Sequence, residues 1–111
     1  MYFVILIAFV VGRSTATHIA CDSDSWLSAL KSLVVFGTDI ESLDYADRTC
    51  IARAINNSNL AAVQFLLELN ASVPEQILQS NSFQSADVDV QQSVVDHLKL
   101  SVKILKYVVE L

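Results

Sequence analysis

The chain has 111 residues, room for one small domain, and 53% of them are hydrophobic against 17% charged, with two glycines and one proline. That balance excludes a disordered chain and a loop-rich scaffold. Twelve acidic residues outweigh seven basic ones for a net charge of -5, and with no run of Lys or Arg the chain offers nucleic acid no electrostatic footprint.

The opening MYFVILIAFVVG is apolar over about ten residues, the length of a secretory leader core and too short to span a bilayer. Arg13 ends the run, and Ser14-Thr15-Ala16 supplies small residues before a cut after Ala16. The expected organisation is therefore a leader over 1–16 and a domain over 17–111, secreted and extracellular. The amino end lacks the usual Lys or Arg, and a buried N-terminal helix or strand is the alternative. Secretion gives meaning to two acceptor patterns for N-linked glycans, Asn56-Asn57-Ser58 and Asn70-Ala71-Ser72. It also permits one disulfide between the two cysteines, Cys21 and Cys50. The alternative is a pair of buried free thiols.

Further along, the chain repeats itself. WLSALKSLVVFGTDI, from Trp26, matches NLAAVQFLLELNASV, from Asn59, at a shift of 33 residues. Leu27 pairs with Leu60, Leu30 with Val63, Leu33 with Leu66 and Val34 with Leu67. These spacings place one apolar stripe along a helix. Gly37 pairs with Asn70, the two residue types that best end a helix in the left-handed conformation. Between the phrases, Asp44-Tyr45-Ala46-Asp47 reads as a turn. Thr49 caps a short helix over 50–57 with Ile51, Ala54 and Ile55 buried, and Asn56-Asn57-Ser58-Asn59 breaks it.

This unit of turn, short helix, longer helix and left-handed stop resembles the ankyrin repeat. Asp44 stands at the family's turn Asp, and Thr49, Ile51 and Ala54 at the Thr, Leu and Ala of its short helix. Val63, Leu66 and Leu67 stand in its second helix, and Ala71 and Val73 in its exit. The departures are Asp47, Ser58 and Asn70 at three of the family's glycine positions, Cys50 at the Pro and Ala52 at the His. The resemblance covers about Leu27 to Val73. It implies an all-α fold, a short stack of helix-turn-helix repeats ending in a long C-terminal helix. It also implies partner binding through Tyr45, Ala46, Arg48, Asn56 and Asn57, at the turn tip and on the exposed side of the short helix. By the same register the first short helix runs over Thr17–Asp24. Cys21 and Cys50 then lie on neighbouring short helices but out of step, so a bridge needs a local shift.

Past Val73, Pro74-Glu75 opens a short helix and residues 79–86 read as a polar loop. Residues 87–111 carry a helical stripe, Val94, Leu98, Val102, Leu105 and Val109, alongside a strand-like alternation over 98–104. Length and the lack of a turn favour one helix. Val108-Val109-Glu110-Leu111 echoes the end of the second helix and suggests a lengthened third unit.

No catalytic motif is present, and the expectation is no enzyme, no cofactor and no metal. His97 beside Asp96 has no nucleophile to serve, and Asp22-Ser23-Asp24 and Asp87-Val88-Asp89 lack the glycine and distal glutamate of a calcium loop. Trp26 reads either as an interface anchor or as a residue packed over the domain end. The function expected is protein-protein interaction, as an effector, venom component or accessory subunit. The alternative is a helical carrier or membrane-active protein using its apolar C-terminal helix, which could also meet a second copy of the chain.

Overall fold

The structure, a computed structural model, describes the backbone of residues 16–109 and the side chains of residues 16–100. The expected leader over 1–16 lies outside the described residues except for Ala16. So do Glu110 and Leu111 and the side chains of the stripe from Val102 onward.

The described residues form an all-α fold. In chain order the elements are α1 (Ala16–Ala20), a 3-10 turn (Asp24–Trp26), α2 (Leu27–Val35), α3 (Cys50–Asn56), α4 (Leu60–Glu68), α5 (Glu75–Leu78), α6 (Asn81–Gln84) and α7 (Val88–Val109). The repeat is visible in the bounds, since α2 and α4 begin and end 33 residues apart. Leu30 and Leu33 of α2 are buried, as are their counterparts Val63 and Leu66 of α4. Ala62 is fully buried whereas its counterpart Ala29 is exposed, because α4 packs against α3, α2 and α7 and so is covered from several sides.

Helix ends follow from side chains that compete for backbone groups. Thr49, Asn59 and Ser80 each accept a bond from the backbone N–H three residues on and so start α3, α4 and α6. At the other end, α2, α3 and α4 close with one and the same pattern. Thr38 N–H bonds Leu33 O and Gly37 N–H bonds Val34 O; Asn59 bonds Ala54 O and Ser58 bonds Ile55 O; Ala71 bonds Leu66 O and Asn70 bonds Leu67 O. This is the Schellman motif, which requires a left-handed residue just past the helix. Gly37, Ser58 and Asn70 hold those places with φ of 89°, 49° and 65°. The remaining positive φ, 58°, belongs to Asp47 in the turn before α3.

Two expectations are corrected. The first short helix stops at Ala20, where i to i−3 bonds from Cys21 to His18 and from Asp22 to Ile19 tighten its last turn. Ser23 accepts from Ser25 N–H and starts the 3-10 turn instead, the usual effect of a Ser/Asp run. The expected loop over 79–86 contains α6: Ser80 caps it, Phe83 is buried, and four residues suffice because tertiary contact with α3 holds them. The favoured single helix is borne out over residues 88–109, and the alternation over 98–104 does not make a strand.

The exits of the two units are tied together. Ser72 N–H donates to Glu41 Oε1 at 2.9 Å, and Thr17 donates to Thr38 Oγ1 at 3.1 Å. His18 is fully buried and donates from Nε2 to Ser42 O at 2.9 Å. The side chains of α1 thus hold down the segment that leaves α2.

Candidate interaction surface

The turn before α3 is built around one carboxylate. Asp44 is fully buried and its Oδ1 accepts from the backbone N–H of Ala46 and of Arg48, each at 2.9 Å. Its Oδ2 takes Arg48 Nε at 3.2 Å and Arg53 Nη1 at 3.4 Å. Burial alone would push the carboxyl pKa up, but the two N–H groups and two guanidiniums outweigh it and hold the pKa below the usual carboxylate value. The backbone is thereby folded so that Tyr45 and Ala46 project from the domain.

Tyr45 is 66% exposed, and the Arg48 guanidinium lies 5.8 Å from its ring centroid. Such a stack orients both side chains at modest gain. Ala46, Asn56 and Asn57 are also exposed, and Arg48 is half-buried. Of the five residues expected to bind a partner, Tyr45, Ala46 and Arg48 share one tip. Asn56 and Asn57 lie at the far end of α3, roughly 10 Å along its axis. The structure gives the last two structural work: Asn56 Oδ1 accepts from the Ser82 hydroxyl at 2.7 Å, and Asn57 Nδ2 donates to Asp22 Oδ1 at 3.1 Å.

Beside the tip an open groove of about 310 Å³ runs between α3 and the α5–α6 segment. Leu43, Arg48, Ala52, Ile55 and Ile77 line it. Leu43 is half exposed, so the groove continues the surface of Tyr45 with apolar area. Trp26 is 47% exposed at the start of α2.

Behind the tip lies Arg53, which the sequence reading passed over. It is buried on α3, yet Nε donates to Asp22 Oδ1 at 3.0 Å, Nη2 to Asp22 Oδ2, and Nη1 to Asp44. Burial pulls the guanidinium pKa down and the two carboxylates pull it up, with the net shift upward, so Arg53 stays charged. The network joins the segment just after the short helix of unit one (Asp22), the turn (Asp44) and the short helix of unit two (Arg53). A lone charge between Ala52 and Ala54 on an apolar helix face was the available signal, because a buried guanidinium demands carboxylates.

Cys21 and Cys50 are both fully buried and unbridged, and they come near each other where α1 packs on α3. The neighbouring Cys50 thiol and burial push the Cys21 thiol far above its ordinary range. Asn56 and Asn70, the two residues expected to accept glycans, are exposed.

Among the described residues no group of three His, Cys, Asp or Glu side chains could hold a metal ion, and no helix is long and apolar enough to cross a membrane. No protein-family model, no curated protein and no solved structure matches this chain.

Proposed function

We propose that this chain is a small non-catalytic protein-interaction module of ankyrin type, exported from the cell and binding its partner through the Tyr45–Arg48 tip and the groove beside it. The observation that carries the reading is the left-handed backbone at Asp47, Ser58 and Asn70. Each of these stands where the resembled repeat has glycine, and a left-handed backbone at those places supports the resemblance. The 33-residue recurrence of α2 and α4 supports the same register. Tyr45 and Arg48 are the side-chain types that anchor interfaces, because they offer large area and directional donors for little lost freedom.

Tyr45→Ala is the test. The full chain, immobilised, is used to capture proteins from the producing organism, and each captured protein is titrated against the wild type and the variant. Affinity falls about 10- to 100-fold with the circular dichroism spectrum and urea midpoint unchanged. A partner held equally by both would remove the tip from the binding surface. Arg48→Ala is the less clean probe, since Arg48 also bonds the fully buried Asp44 and its loss costs the fold about 1–3 kcal/mol.

Export is tested separately by expressing the full chain in cultured eukaryotic cells. The expected product is in the medium, begins at Thr17 and carries one glycan, removed by Asn70→Gln. Asn70 lies in an open turn, whereas Asn56 is held at the end of α3 and the Ser58 hydroxyl of its acceptor pattern accepts from Asp87 N–H at 3.1 Å. Retention in the cell with an intact amino end would defeat the export reading.

A further inference from the structure

We propose that Cys21 and Cys50 are the site of a covalent cross-link, closed while α1 docks and sealed from reagents afterwards. Three observations meet here. The thiols lie near each other in one buried core where α1 packs on α3, so α3 need not move to bring them together. Both are fully buried, so neither meets an oxidant while α1 is in place. And α1 is the part able to admit one, being five residues long and ending in the turn that carries Cys21, while α3 is fixed from several sides by α4, α6 and α1. Asp22, next to Cys21, sits on Arg53, so the cross-link and the ion pair fasten the same edge.

The chemistry is thiol–disulfide exchange with a small-molecule disulfide. When α1 opens, Cys21 reaches water and loses the burial and the neighbouring Cys50 thiol that hold its proton. Its thiolate attacks one sulfur of the oxidant, forming a mixed disulfide and releasing one thiolate of the reagent. As α1 redocks, Cys50 gives up its proton, attacks Cys21 Sγ and expels the second reagent thiolate. The two protons lost by the cysteines end on the two reagent thiols, the protein pair is oxidised by two electrons and the reagent disulfide reduced by two. In the cell this step rests on the proposed export, which supplies the oxidising lumen. The test supplies the oxidant itself, so intracellular retention would defeat that reading and leave the cross-link untouched.

The experiment uses the full chain, purified reduced. In native buffer both thiols react with an aromatic disulfide reagent at least about a hundredfold more slowly than in guanidinium, since reaction waits on opening. Refolding in a mixture of oxidised and reduced glutathione yields a monomer lighter by two hydrogens, with a Cys21–Cys50 peptide in its digest. That monomer melts about 10–20 °C above the reduced one, the effect of closing a loop of about thirty residues. Cys21→Ala and Cys50→Ala give no such species and no such shift; should either fail to fold, the reduced and oxidised wild type still decide. Dimers or persistent glutathione adducts in place of the bridged monomer overturn the proposal. So does a bridged form melting at or below the reduced one, because the packing of the pair would then be one the bond distorts.

Discussion

Arg53→Ala removes about 3–5 kcal/mol of folding stability, read as a lowered urea midpoint by circular dichroism. The loss comes less from the missing attraction than from what stays behind. Asp44 is fully buried, and without the guanidinium of Arg53 its charge keeps only the two N–H groups and the half-buried Arg48. Asp22 is a third exposed and water can replace part of what it loses, so Asp44 sets most of the cost. Arg53→Lys recovers little, because one ammonium cannot present the three N–H donors that now reach two carboxylates. A cost under about 1 kcal/mol would mean that the network orients the turn without holding it.

The same network fixes the response to acid. The Asp44 carboxyl is held below its ordinary value in the folded chain, so folding is favoured by its ionised form. Its contribution is complete above the unfolded value of about 3.9 and is lost as pH falls through the folded value. Wild-type stability therefore drops below about pH 4 more steeply than that of Asp44→Asn, which has no such carboxyl to protonate. Parallel acid profiles for the two would remove Asp44 from the account.

What could be read from the residues divides by the range of the cause. α2 and α4 were legible because each carries its own apolar stripe and its own stop, Gly37 or Asn70, within nine or ten residues. The turn at Asp44 was legible for the same reason, its bonds reaching only to Ala46 and Arg48. α6 was not, because no periodicity fits in four residues and only Ser80 marked its start. Arg53 was missed because its partners lie nine and 31 residues away and no local rule links them. Ideal helix spacing put the two cysteines out of step, whereas the packing of α1 on α3 brings both into one buried core. The exposed tip was implied by the family resemblance, but the groove beside it needs α3, α5 and α6 together.

Val94→Asp tests how far the stack extends. Val94 and Val90 are fully buried where α7 lies on α4, and Leu66 of α4 belongs to the same core. A carboxylate there loses its water in apolar surroundings, and protonating it still leaves a polar group in place of two methyls. The cost is about 4 kcal/mol or more, a large share of the roughly 5–15 kcal/mol that holds a domain. Val88→Asp, one residue into the same helix and 75% exposed, changes stability by less than about 0.5 kcal/mol and serves as the control. Repeat units bury their apolar faces only against neighbours, so if α7 is the last layer of the stack, its loss uncovers α4 and weakens α3 with it. The expected result is loss of helical signal in one cooperative step at reduced urea, with α2–α4 unfolding alongside α7. Two separate transitions, the first belonging to α7 alone, would place the end of the module at α6 and make α7 an appendage of it.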